Sequence, residues 1–137
     1  MASYSNSTRV NASLDNVRAL LCDTGRISEW HHLIHGVRDI DTAGFAATMS
    51  IVGADIDFET LVDASNDTVT FTHVARKIEV TERITLSADE TSTEVDYAIS
   101  SRGKGVFRIL GKGLVPVLER SVDKGLERIA KLVEQSS

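Results

Sequence analysis

The stretch FAATMSIVGADIDFETLVDASNDTVTFTHVARKIEVTERITLSADETSTEVDYAISS, Phe45–Ser101, decides the fold. Its apolar residues recur with period two, the mark of strands that bury one face. Phe45, Ala47, Met49 and Ile51 alternate with Ala46, Thr48 and Ser50. The same phase continues through Ile56, Phe58, Thr60 and Val62, then Val69, Phe71, His73 and Ala75. Ile78, Val80, Glu82, Ile84 and Leu86 follow, and Val95, Tyr97 and Ile99 close the series. Turn signals at Gly53-Ala54, Ser65-Asn66, Arg76-Lys77 and Asp89 to Ser92 separate the runs, which predicts consecutive antiparallel hairpins.

Directly opposed residues of an antiparallel pair point to one face, so the hairpins test one another. Turning at Gly53-Ala54 sets Met49 against Phe58, and turning at Ser65-Asn66 sets Phe58 against His73. The later turns set His73 against Val80, Phe71 against Glu82, Glu82 against Ile99 and Ile84 against Tyr97. Every apolar set then falls on the same side of the sheet.

Outward from the strands, residues from about Val106 to Gln135 read as one long amphipathic helix. Phe107, Leu110, Leu114, Leu118, Val122, Leu126, Ile129 and Val133 form its stripe. Arg120, Asp123, Lys124, Glu127, Arg128 and Lys131 form the solvated side. Gly111, Gly113 and Pro116 predict a bend or a late start near Leu114. Before the strands, Tyr4 to Ala12 reads as an edge strand and Ser13 as the N-cap of a short helix, Leu14 to Cys22. Asp23-Thr24-Gly25 stops it and starts a second short helix reaching Trp30. A connector from His31 to His35 leads to a strand over Val37 to Asp41 and a turn ending at Gly44. The fold class is α+β: a single domain in which one helix covers a run of strands. A single helix cannot fill a curved sheet from edge to edge, so the remaining space is a candidate ligand cavity.

With 137 residues, 42% hydrophobic and 26% charged, the chain has the size and composition of one folded domain. A net charge of -5 without a basic cluster argues against nucleic acid as a partner. No run is long and apolar enough to insert stably in a membrane, and the start MASYSNSTRV has no charged-then-apolar leader pattern, so the expected location is cytoplasmic. Cys22, the only cysteine, sits in an apolar run and reads as a buried, inert thiol.

Three polar side chains occupy the apolar phase: His73, Glu82 and Tyr97. The register places Glu82 diagonally between the other two, about 7–8 Å from each between backbones, within reach of long side chains. A buried carboxylate is costly unless paired or protonated. Two readings follow: a polar patch in a binding cavity, with Glu82 or His73 orienting a ligand hydroxyl or moving a proton, or a satisfied buried network. The expected ligand-binding set is Trp30, Met49, Phe58, Phe71, His73, Val80, Glu82, Tyr97, Ile99, Leu114 and Leu118, with Glu82 and His73 the candidate catalytic pair. His31 and His35 carry metal-ligand spacing for a helix, but no Glu lies between them and no third ligand is near in sequence, so no metal or other cofactor is expected. Asp55, Asp57 and Glu59 alternate on the outer face of a strand and read as solvated. Gly103, Gly105, Gly111 and Gly113 do not build a phosphate loop, and no GxSxG nucleophile elbow is present.

A strand, two short helices ending in D-T-G-R-I-S-E-W (Asp23 to Trp30), a long meander and a C-terminal helix together resemble the START-like, helix-grip (SRPBCC) superfamily, in its polyketide cyclase/dehydrase and lipid-transport branch. The element around Glu29-Trp30 and the Gly-rich approach to Leu114-Val115-Pro116 carry the resemblance locally, and the order of elements carries it over the whole chain. What it implies is a curved sheet wrapped around the long helix, with a deep apolar cavity for lipids, sterols, polyketides or other hydrophobic molecules. It implies no single reaction, since members include aromatase/cyclases, hydrolases, hormone receptors and carriers. The leading expectation is therefore binding of a hydrophobic small molecule (lipid, polyketide or aromatic/isoprenoid-like) by a monomer or homodimer. One alternative is a cyclase/dehydrase-type enzyme using Glu82 or His73 as general acid/base. Another is an interaction module whose cavity is vestigial and filled by Phe45, Phe58 and Phe71.

Overall fold

The computed structural model describes residues 2–105 and 111–135. The elements are β1 (Ala2–Val10), α1 (Leu14–Cys22), a 3-10 turn (Thr24–Arg26), α2 (Ile27–Trp30), β2 (Ile34–Arg38), β3 (Gly44–Ile51), β4 (Ala54–Ala64), β5 (Thr68–Val74), β6 (Ile78–Asp89) and β7 (Ser92–Gly103). A second 3-10 turn (Gly111–Leu114) then leads into α3 (Val115–Gln135). The strands form one curved antiparallel sheet in the order β1-β7-β6-β5-β4-β3-β2, with β1 completing the edge beyond β7.

Ser13 caps α1 as its sequence predicts: its backbone is extended and its hydroxyl accepts from the Asn16 amide at 3.2 Å. The helix buries Val17, Leu20 and Leu21. Cys22 is exposed, against the expectation of a buried thiol, because it lies one helical step off that inward row. α2 ends where His31 turns extended, at φ -80 and ψ 124. The connector is therefore shorter than expected, and β2 runs Ile34–Arg38 rather than Val37 to Asp41. Asp41 instead builds the following turn, its carboxylate accepting from the Ala43 and Gly44 amides at 2.8 and 2.9 Å.

Four of the six pairings expected in detail hold: His73 faces Val80, Phe71 faces Glu82, and on β7 Glu82 faces Ile99 with Ile84 facing Tyr97. The first two turns differ. The β3–β4 turn is Val52-Gly53, both with positive φ (50 and 77), so Met49 faces Ile56 and Phe58 faces Ala47. A positive φ at a β-branched residue is rare, so local preference does not point to Val52, and the turn lies one residue before the expected Gly53-Ala54. The β4–β5 turn is Asn66-Asp67, closed by the Ser65 amide donating to the Thr68 carbonyl at 2.8 Å and so one residue beyond the expected Ser65-Asn66, and His73 consequently faces Thr60 rather than Phe58. Both slips are of two residues, so every side chain keeps its predicted face.

α3 lies across the concave face and buries Leu118, Val122, Leu126, Ile129 and Val133 of the expected stripe, together with Ser121 and Gly125. Its start at Val115 after a 3-10 turn matches the late start that Gly113 and Pro116 predict. Phe107 and Leu110, and the expected start near Val106, lie outside the described residues. One flank of α3 is tied to the strand edge: Tyr4 and Asn6 side chains donate to Asp123 at 3.1 and 3.0 Å, and the Asn11 amide donates to Glu134 at 2.8 Å. Asp55, Asp57 and Glu59 are exposed on the convex face, where Asp57 and Asp55 accept from Thr48 and Ser50. No helix among the described residues is long and apolar enough to cross a membrane.

Candidate functional site

Five polar side chains meet in the apolar interior: His31, Thr60, His73, Glu82 and Tyr97, none more than 3% exposed. β4, β5, β6 and β7 supply four of them from inward positions of adjacent strands, and the chain's turn out of α2 swings His31 down to meet them. Glu82 is the hub. His31 Nε2 lies 2.8 Å from Glu82 Oε1 and 2.6 Å from Oε2, His73 Nε2 lies 2.6 Å from Oε2, and the Tyr97 hydroxyl donates to Oε1. Thr60 Oγ1 sits 2.7 Å from the other His73 nitrogen, Nδ1. Aromatic rings wall the cluster. Phe71 stacks parallel to His73 at 6.2 Å, and Trp30 lies 5.6 Å from His31, 5.8 Å from Phe71 and 6.2 Å from Tyr97.

Burial by itself would raise the Glu82 pKa, yet the two imidazoles outweigh it and hold the carboxyl well below the usual carboxylate range. Burial pushes His73 below the ordinary imidazole range, with the Glu82 contact opposing only in part. Burial and the neighbouring carboxylate both push the Tyr97 phenol up, which keeps it a donor. At neutral pH the hub is therefore an ionised carboxylate held mainly by N–H and O–H donors, with His73 uncharged.

The tautomers follow from the outer contacts. The Leu33 amide donates to His31 Nδ1 at 3.1 Å, so the ring proton of the neutral imidazole sits on Nε2 and points at Glu82. His73 presents Nε2 to the same carboxylate, and the Thr60 hydroxyl donates to its Nδ1. The ligand atoms of His31, His73 and Glu82 lie within 4.8 Å of one another, close enough to suggest a metal site. A metal-bound imidazole, however, donates its remote N–H outward, whereas His31 Nδ1 receives one. That contact favours a proton-wired carboxylate over a metal centre.

The structure brings together the diagonal triad His73, Glu82 and Tyr97 as the register implies. Trp30, Met49, Phe58, Phe71, Val80, Ile99, Leu114 and Leu118 are all buried in the same core. His31 and Thr60 belong to the cluster and were not among the expected site residues. Thr60 was visible in the apolar phase of its strand, but the two-residue slip concealed its pairing with His73. His31 and His35 do not share a helix face: the helix ends at Trp30, and His35 is exposed on β2 near Ser50 and Asp55. Three further polar side-chain atoms, Trp30 Nε1, His32 Nδ1 and Ser121 Oγ, are buried without a hydrogen-bond partner among the described residues, and of their residues Trp30 and Ser121 are fully buried. A depression of about 580 Å³ on the convex face, lined by Ser3, Ser5, Thr81, Arg83 and Ser100 among others, shares no side chain with the buried cluster.

A curved antiparallel sheet closed over a long C-terminal helix, with two short helices after the first strand, is the helix-grip architecture. The family model described as "Polyketide cyclase / dehydrase and lipid transport" matches residues 1–134, and the chain belongs to that family. Among solved structures it is similar to a START superfamily protein from Mycobacterium smegmatis, at 14% identity and TM-score 0.84 over 100% of both chains. It is also similar to the Zhui aromatase/cyclase from Streptomyces sp. R1128, at 12% identity and TM-score 0.77, covering 97% of this chain and 93% of that one. The KanY protein (ms6282) shares 23% identity at TM-score 0.76 over 97% of each. Identities this low establish the fold alone. No curated protein matches the chain.

Proposed function

We propose that this protein binds a hydrophobic small molecule, of lipid, polyketide or aromatic/isoprenoid-like character, between the concave face of the sheet and α3. The observation that carries the reading is the polar island around Glu82, set into an apolar wall of Phe71, Val80, Ile99 and Trp30. An ionised carboxylate in a core costs stability that an apolar residue of the same size would not, so its presence favours use over packing. Membership of a family described by cyclisation, dehydration and lipid transport supports the same interior as the place of binding.

The test is amide-shift mapping by NMR on titration with an octadecenoic fatty acid and with a flat polycyclic hydrocarbon. Shifts concentrated at Phe71, Tyr97, Ile99 and Leu118 are expected. Shifts confined to convex-face residues such as Ser3, Thr81 and Ser100, or no shifts with either molecule, overturn the proposal.

A second reading is favoured by the tautomers: a cyclase/dehydrase-type enzyme in which His73 carries the proton. Glu82 accepts from three side chains and is a weak base, whereas the Thr60 hydroxyl beside His73 Nδ1 can change from donor to acceptor as the imidazole takes up a proton. Glu82 then positions His73. Unchanged turnover of an accepted substrate in both Glu82→Gln and His73→Ala disproves this reading.

A further inference from the structure

Every donor of the Glu82 cluster is already spent inside the protein, so the cluster as folded offers a ligand acceptor positions but no free N–H or O–H. Free donor capacity lies beside it. Trp30 and Ser121 are both 0% exposed, and the indole Nε1 and the hydroxyl Oγ have no partner among the described residues. Buried polar side chains are as a rule hydrogen-bonded, and an exception calls for an occupant.

The two residues come from facing elements. A Cβ built on Gly125 of α3 would lie 3.7 Å from the Trp30 carbonyl and 3.0 Å from Tyr97 Cε2, so the helix rests directly on these two residues. Ser121 is on the same buried side of α3, one turn earlier, about 6 Å along the axis. The Trp30 ring packs against Phe71 and Tyr97, within the same interior. An indole N–H only donates, and a serine hydroxyl can donate as well. Each is matched by the same chemical feature, an oxygen acceptor on an otherwise apolar body.

We propose that Trp30 Nε1 and Ser121 Oγ form the polar recognition pair of the interior site and select ligands bearing a carbonyl or comparable acceptor oxygen. This inference rests on the binding reading above and names the ligand class it takes. Specificity of this kind is strong because an analogue lacking the oxygen leaves buried donors unpaired.

Trp30 is the only tryptophan of the chain, so its indole proton gives one isolated NMR signal that reports on the pair. The probes are 2-acetylnaphthalene and 2-isopropenylnaphthalene, which differ by C=O against C=CH2. Calorimetry and 1H–15N spectra are recorded on the full chain after hydrophobic-resin extraction. The ketone is expected to bind at least tenfold more tightly and to move the indole proton downfield, while the hydrocarbon does not move it so. Ser121→Ala and Trp30→Phe are expected to bring the affinity ratio close to one without weakening the hydrocarbon. Equal binding of the two probes, as when water alone satisfies the pair, overturns the recognition pair but leaves the cavity reading standing. Ketone preference with an unmoved indole proton also overturns it. Failure of both probes to bind overturns the pair and counts against the cavity itself.

Discussion

Replacing Glu82 removes the one acceptor that His31, His73 and Tyr97 share. A hydrogen bond to a charged group contributes about 1.5–3 kcal/mol, so three sum to roughly 4.5–9 kcal/mol as an upper bound. The sum overstates the loss, because the donors share one carboxylate and its desolvation opposes the gain. A buried donor left unsatisfied costs about 1–3 kcal/mol, and three that can partly rearrange around the lost carboxylate set a scale of about 4 kcal/mol, which is the better guide. Glu82→Leu, which keeps the volume and leaves three donors unpaired, is expected to lose about 4 kcal/mol. Glu82→Gln retains one carbonyl acceptor but turns an NH2 group toward existing donors, and is expected to lose about 2 kcal/mol. Urea unfolding at pH 7.5, followed by the emission of Trp30 beside His31, measures both against the parent chain. If Glu82→Leu falls within 1 kcal/mol of the parent, the carboxylate is not the ionised hub described here.

The same network makes stability pH-dependent in one direction. His73 has a folded pKa below its unfolded value, near 6.5, so the unfolded chain takes up the proton first and stability falls as pH drops below about 6.5. Glu82, also depressed, adds a second loss as pH falls below about 4.3, its unfolded value. Urea midpoints at pH 7.5, 5.5 and 4 should decline in that order, and His73→Gln should flatten the first interval; a midpoint that rises from 7.5 to 5.5 contradicts the assignment. Gly44→Ala tests the fold where β3 meets β4: its Cβ would lie 1.8 Å from the Thr60 carbonyl oxygen, which is backbone and cannot rotate away. A loss of about 3 kcal/mol or more is expected from such overpacking, and a near-neutral midpoint refutes the close approach. Gly125→Ala meets a side chain instead, Tyr97, pinned by Glu82. The gain of about 1 kcal/mol in helix propensity should be outweighed, giving a net loss of about 1 kcal/mol in thermal or urea unfolding.

The meander was legible because period-two patterning fixes faces, and faces survive even a two-residue slip. Val52 shows what the pattern could not supply: a turn placed at a β-branched residue with positive φ contradicts local preference and is set by the pairing on either side. The triad of His73, Glu82 and Tyr97 was legible because all three interrupt an apolar phase on neighbouring strands. His31 was not. It belongs to the cluster only because the backbone turns extended after Trp30, and its nearest neighbour in the network is 51 residues away in sequence. Ser121 was hidden for a different reason: one small polar residue in a helix stripe reads as spacing until its hydroxyl is found buried without a partner.

Native mass spectrometry of the full chain as purified, before and after organic extraction, tests the central claim of an interior ligand site most directly. The account predicts a second population heavier than the chain by the mass of a hydrophobic molecule, lost on extraction and restored by adding back the extract, with the addition abolished in a variant that fills the interior, Ser121→Phe. A chain found only at its own mass, which takes up nothing from a total hydrophobic extract of its expression host, would contradict it.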